Sequence, residues 1–355
     1  MSAYFNSQAL IIARESRGKS QTEVAQAAGV SQGAISKAET DVTVPSPEVV
    51  ERIAAFLRYP VEFFSEPGQL RDGASICHYH RKRKTLPAKV LDRVNATMFV
   101  RNVNIRHMLN GLDVDSPRGF HTLEVDEFGC PAAVAAALRT AWRIPHGPIP
   151  NLTALIESAG GIVIFSPFGH RKLFGMSCWP TRMHPLFYMN SEIATADLRW
   201  TIAHELGHLT MHGTPSPNDI EKEADEFAAE FLTPAADIAP TLRSVTFEQL
   251  GPLKLHWRIS MKALIHRAQD VAAISREEAT RLYKRHSWHG YNAVEPFNVP
   301  AEIPTLLSQA AHIHLSEHGY TSAELRRAIR IVDDDDYAEI TRLHPRRGRL
   351  SAVRS

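Results

Sequence analysis

The 355-residue chain is long enough for about two or three domains of roughly 100–200 residues each. Its 40 lysines and arginines balance 39 aspartates and glutamates, which excludes a chain-wide affinity for polyanions or acidic membranes and leaves only local basic clusters. Three widely spaced cysteines, Cys77, Cys130 and Cys178, exclude a disulfide framework, and no run approaches the ~18 apolar residues of a membrane span, so a soluble, cytoplasmic protein with no membrane partner is expected.

Residues 7–64 read as five short helices with a tight turn between the second and third. Ser20-Gln-Thr-Glu23 is a capping box, in which hydroxyl and carboxylate each satisfy an orphan amide, and Val24-Ala-Gln-Ala-Ala28 continues the helix. Gly29-Val30 breaks it, and Ser31 caps the next helix, Gln32 through Glu39. A loop from Thr40 to Ser46 leads to Pro47, suited to a first helical turn, and to Val49, Val50, Ile53, Ala54 and Leu57 at helical spacing. Residues 65–85 read as a linker, with turn signals at Pro67-Gly68 and Asp72-Gly73 and a basic run, Arg81-Lys-Arg-Lys84. A long helix is expected from Leu86 to about Leu112.

Helices at Pro131 to Trp142 and Leu152 to Ser158 precede three short strands, at Ile162 to Phe165, Met176 to Trp179 and Pro185 to Met189. A helix carrying Thr201-Ile-Ala-His204-Glu205-Leu-Gly-His208 follows, then helices at 220–232 and within 245–290, where Ser260 and Ser275 are the expected N-caps. Helices around a small sheet give an α+β order. From about residue 290 the prolines, the run Asp333 to Asp336 and the basic residues read as a partly flexible extension.

His204 and His208 stand four residues apart, so on a helix they share one face and can grip one metal ion, with Glu205 beside them as a base. Ile202, Leu206 and Leu209 give that helix an apolar side, and Gly207 leaves room for a strand or substrate to approach. The competing reading is a surface helix with two solvated histidines. A catalytic zinc needs a third protein ligand. His212 continues the spacing, but helical rise carries it roughly 12 Å from residue 204 along an unbroken helix, so packing or an outer hydrogen bond suits it better. Glu223 lies one turn before Phe227 on the apolar stripe Ala224, Phe227, Ala228 and Phe231, and an inward carboxylate calls for a positive partner. Glu223 is therefore the expected third ligand, with Glu226 and Glu221 as alternatives, and Asp225 is a candidate partner for the far nitrogen of a liganding histidine. Cys77, His78 and His80 lack a fourth partner at useful spacing.

Leu138-Arg-x-x-Trp142, Gly147-Pro-Ile-Pro-Asn151-Leu, Leu155-Ile-Glu-x-Ala-Gly160, Phe187-Tyr-Met-Asn190, Arg199 through His212, and Glu223 through Pro234 occur in order over about residues 130–235. In this stretch the chain resembles the ImmA/IrrE family of bacterial and phage metallopeptidases. The resemblance implies His204, His208 and a downstream Glu as ligands, Glu205 as base, and repressor proteins with phage-type helix-turn-helix domains as substrates. Thr22 through Glu39, in its order of small, turn and apolar positions, resembles the Cro/CI-like XRE helix-turn-helix. In that arrangement Ala25, Ile35 and Leu57 form the core. Gln32, Ser36 and Lys37 face bases or phosphates from the major groove, and Gln21 meets backbone. Arg14, Arg17 and Lys19 are candidate phosphate contacts nearby. A small helical protein-interaction domain is the competing reading.

The expected fold is multidomain, an all-α helix-turn-helix domain at 7–64 and an α+β zincin-like domain at 113–240 with a helical C-terminal part. Residues 65–112 are linker and long helix, 241–290 a helical domain and 291–355 the extension. The expected function is a transcriptional regulator that binds a double-stranded DNA operator, with a homodimer among the expected states. Its Zn2+-dependent endopeptidase domain, with Mn2+ as the alternative ion, would cleave a helix-turn-helix repressor or its own linker. A strand near Phe187 to Asn190 would align the peptide by edge pairing. The alternatives are a transcription factor whose peptidase-like domain senses without cutting, and an antitoxin-like partner protein.

Overall fold

The capping signals and apolar spacings coincide with helix starts in the computed structural model, which describes residues 5–71, 87–212 and 219–342. The first elements are α1 (Ser7–Ser16), α2 (Gln21–Ala28), α3 (Gln32–Glu39), α4 (Pro47–Leu57), a 3-10 turn (Val61–Ser65) and α5 (Ala88–Met108). Then come α6 (Val125–Phe128), α7 (Pro131–Ala141), α8 (Leu152–Ser158), β1 (Ile162–Ser166), β2 (Gly175–Cys178), β3 (Leu186–Asn190), α9 (Thr195–Met211) and α10 (Ile220–Leu232). The last are α11 (Ala235–Leu242), α12 (Leu250–Trp257), α13 (Met261–Asp270), α14 (Arg276–Trp288), α15 (Leu306–Ser316), α16 (Ser322–Ala328) and α17 (Asp334–Thr341). The basic run at 81–84, Cys77, His78, His80, Gly213 and the basic tail at 345–349 lie outside the described residues. No described helix is long and apolar enough to cross a membrane.

The chain forms two units, and their boundaries differ from the expected ones: α15–α17 fold together with α1–α5, and residues 115–304 make the other unit. In the first unit the Ser20 capping box is complete, Gly29 takes a left-handed conformation (φ 66°) that ends α2, and the Ser31 side chain caps α3 by accepting from the Ala34 amide. Ala25, Ile35 and Leu57 are buried with Leu10, Ile12, Ile53, Phe63 and Phe64. The four-aspartate run is a helix start rather than a flexible tail. Asp333 caps α17, and Asp336 accepts from Arg17 and the buried Arg101 at 2.8 and 2.7 Å.

Glu66, which is buried, ties three segments of this unit together. Its carboxylate meets Arg106, His107 and Arg330, each at 2.7 Å. Burial by itself would raise its pKa, but the hydrogen bonds from His107 and Arg330 outweigh it and hold the carboxyl at about 2.

The second unit is built on a three-stranded sheet of order β1-β3-β2, with β1 parallel and β2 antiparallel to β3. The strands are almost wholly buried, which explains the unbroken apolar run Ile162-Val-Ile-Phe165. The α9 helix packs on β2 and β3, and α10 packs on α9 and α7. Arg199, buried on α9, is bound by Glu302, which also accepts from the Thr153 amide at 2.9 Å. At Gly207 the neighbour is neither strand nor substrate but the Phe227 ring of α10, which a Cβ would meet at 3.0 Å.

The Glu66 clamp sets a pH dependence. A carboxyl whose pKa falls on folding stabilises the native state fully above its unfolded value of 4.5, and that contribution disappears as pH falls through the folded value. The first unit should therefore lose stability between about pH 4.5 and 2. Glu66→Gln should be less stable at pH 7 and flatten that part of the acid profile, as read by chemical unfolding at a series of pH values.

Candidate metal centre and DNA-reading face

The α9 helix is buried nearly all round, so its two histidines point into the unit rather than into solvent. His204 and His208 bring their Nε2 atoms to 3.0 Å from each other. Glu221, in the first turn of α10, lies 3.8 Å from His204 Nε2 and 3.6 Å from His208 Nε2. These three donors, all within 4.8 Å of one another, are the group among the described residues that could hold a metal ion. Ligand atoms about 2.0–2.2 Å from a tetrahedral zinc stand about 3.3–3.6 Å apart, so the spacing and the two-imidazole, one-carboxylate chemistry suit such an ion. The position at the start of α10 also favours a carboxylate.

The structure does not bring Glu223 to this group. Its carboxylate meets His212 Nε2 at 2.9 Å, and Glu226 is likewise absent from the group. The reason is helical geometry. At about 100° per residue, Glu221 and Glu223 diverge by about 200°, and they flank the apolar stripe of α10 on opposite sides. Asp225 falls on the Glu221 side, four residues on, and accepts from His204 Nδ1 at 2.9 Å. An Asp225 that reaches His204 therefore places Glu221, not Glu223, beside the histidine pair. That signal was in the sequence, since the expected partners Glu223 and Asp225 could not both face one site.

Three imidazoles form a row. His212, the C-cap of α9, puts its Nδ1 2.9 Å from His208 Nδ1. Burial pushes the His208 and His212 rings below the ordinary histidine value. Burial acts in the same direction on His204, but Asp225 and the charges of Glu205 and Glu221 outweigh it and raise its pKa.

Glu205 is buried, and Ser177 Oγ donates to its Oε2 at 2.7 Å. Ser177, on β2, is a functional candidate that the sequence reading missed. Nothing local marks it; only the packing of β2 on α9 makes the pair. A cavity of about 930 Å3 opens beside the centre, with Trp200, Asp219, Lys222, His266 and Tyr283 among its walls.

On the helix-turn-helix face, Gln32 Nε2 donates to Gln21 Oε1 at 2.7 Å, and Gln21 Nε2 donates to Glu39 at 2.6 Å. Gln32 and Lys37 are exposed at opposite ends of the outer face of α3, and Ser36 is half-buried between them. Arg14 and Arg17 do not serve as open phosphate contacts: Arg14 is bound to Glu39 at 2.5 Å and Arg17 to Asp336. Lys19 is half-buried, 3.0 Å from Glu23.

A helix-turn-helix unit and a sheet-and-helix unit with a histidine-pair centre define a regulator-type module joined to a metallopeptidase-type domain. Comparison with known families agrees. Residues 10–64 match the helix-turn-helix family model, and residues 157–269 match that of the IrrE N-terminal-like domain. No curated protein matches the chain.

The engagement of the arginines gives a test on duplex DNA. Lys37→Ala should weaken binding and lower the slope of log K against log salt by about 1, whereas Arg17→Ala should leave the slope unchanged. Binding titrations at several salt concentrations check this.

Proposed function

We propose that the chain is a DNA-binding regulator whose second unit is a zinc-dependent endopeptidase, cleaving a helix-turn-helix repressor or this chain itself in the cytoplasm. The observation that carries the enzymatic half is Glu205, held by Ser177, beside the His204, His208 and Glu221 donors. Zn2+ is the ion this donor set suits, with Mn2+ the alternative, and when bound it supplies the Lewis acidity that makes water nucleophilic near neutral pH and polarises a carbonyl. Glu205 takes the proton of the attacking water and delivers it to the departing amine nitrogen as the C–N bond breaks. Ser177 fixes the rotation of the carboxylate, so that the proton acceptor stays aligned.

The strand Leu186–Asn190 cannot align a peptide as expected, because β3 is central and paired on both sides. The edge strand β2, which carries Ser177 and packs on α9, supports that role instead: an extended peptide paired to its outer side would run past Glu205. A base held by its own buried hydroxyl favours cleavage over a sensor that only binds metal. In the DNA-binding half, Gln32 and Lys37 would read an operator from α3, Ser36 would contact it between them, and Gln21 would orient Gln32 through their hydrogen bond. A homodimer would match a two-fold operator.

Co-expression with candidate repressors, and incubation of the purified chain alone, tests the cleavage. Glu205→Gln should abolish product while retaining zinc. Ser177→Ala should lower kcat by about 10- to 100-fold with KM little changed, the range expected for losing a hydrogen bond to a charged group. Cleavage that persists in Glu205→Gln contradicts the mechanism.

A further inference from the structure

His212 and Glu223 take no part in the proposed reaction, yet both side chains are held in the row that ends on His208. His212 Nδ1 lies 2.9 Å from His208 Nδ1, and its Nε2 lies 2.9 Å from Glu223 Oε2. The side chain of His212 is 2% exposed and that of Glu223 is 17% exposed. We propose that Glu223 and His212 are positioning residues that orient His208 as a metal ligand and fix which of its nitrogens is bare. The proposal rests on the reading that His204, His208 and Glu221 hold zinc.

The placement of protons along the row follows from which atoms can donate. An ionised carboxylate only accepts, so at Glu223 the donor is His212 Nε2–H. A neutral imidazole carries one N–H, which leaves His212 Nδ1 as an acceptor. The group facing that acceptor, His208 Nδ1, must then donate, and His208 Nε2 is left with its lone pair directed at His204 and Glu221. On the other side of the centre Asp225 imposes the same outcome on His204 in one step, accepting from its Nδ1. Both ligands thus present bare Nε2 atoms, one fixed directly by a carboxylate and the other through an intervening imidazole. The relay is needed because His208 lies one turn further along α9 than His204, while the carboxylate on the far flank of α10 is Glu223. Outer hydrogen bonds of this kind set ring orientation and ligand basicity, and their loss typically weakens metal binding about 10- to 100-fold.

The test measures Zn2+ affinity of the full chain by competition with a chromogenic chelator, and the visible absorption of the Co2+-substituted protein. His212→Ala should bind Zn2+ about 10- to 100-fold more weakly, with altered Co2+ bands. His212→Asn should recover most of the affinity and the bands, because the amide oxygen stands where Nδ1 stood and still accepts from His208. His212→Leu, which fills the space without an acceptor, should behave like the alanine variant and serves if that variant does not fold. Glu223→Gln, which keeps an acceptor oxygen, should cost about tenfold or less, whereas Glu221→Ala should lose stoichiometric Zn2+. Wild-type affinity in His212→Ala or His212→Leu, or no rescue by asparagine, overturns the proposal. So does a Glu223→Gln variant that loses zinc as completely as Glu221→Ala, since Glu223 would then sit on the ion. A wild-type chain that binds no stoichiometric zinc overturns instead the metal reading beneath it, and the proposal with it.

Discussion

The approach of α10 to α9 at Gly207 governs the geometry of the second unit's site. The Phe227 ring lies where a Cβ on residue 207 would be 3.0 Å from Cδ1 and 3.2 Å from Cγ. A side chain there would require the Phe227 ring to give way by a few tenths of an ångström, which a packed aromatic ring resists. With the helices this close, Glu221 and Asp225 on one flank of α10 reach His204 and His208, and Glu223 on the other flank reaches His212. The same α9 presents Glu205 to Ser177 on β2, where Gly175 also lacks room for a Cβ against Thr201. Two glycines thus let one buried helix contact a second helix and a sheet at short range, and the chemistry depends on both contacts.

What was legible in the sequence was local. Ser20, Ser31, Ser260 and Ser275 announce helix starts because a capping side chain acts within three residues of itself, and all four cap the helices expected of them. The His204–Glu205–His208 spacing places two imidazoles together for the same reason, since i and i+4 always share a face. The third donor was not settled by this logic. The apolar stripe of α10 has a glutamate on each flank, and hydrophobic spacing treats the two alike; only the demand that Asp225 reach His204 separates them. Ser177 was invisible because its partner is 28 residues away and meets it across a sheet–helix contact.

The charged residues misled for a related reason. Arg14 and Arg17 sit near the helix-turn-helix, and proximity in sequence suggested phosphate contacts. Glu39 lies 25 residues from Arg14, and Asp336 lies 319 residues from Arg17. The run Asp333 to Asp336 read as part of a partly flexible extension, yet it caps a helix and neutralises Arg17 and Arg101, two arginines of the N-terminal unit. A charge run reads as surface only until its counter-charges are known, and those are set by the fold. The positive surface left to α3 and its surroundings is correspondingly small, with the exposed Lys37 and the half-buried Lys19 as its lysines.

The chemistry proposed for the second unit depends on zinc being held by His204, His208 and Glu221, with Glu223 one residue removed behind His212. Anomalous diffraction from crystals of the zinc-loaded protein, collected at the zinc absorption edge, tests it directly. The account predicts a single peak bounded by His204 Nε2, His208 Nε2 and the Glu221 carboxylate, with Glu223 still hydrogen-bonded to His212. A peak coordinated by Glu223 or by His212, or no peak at this position, would contradict it.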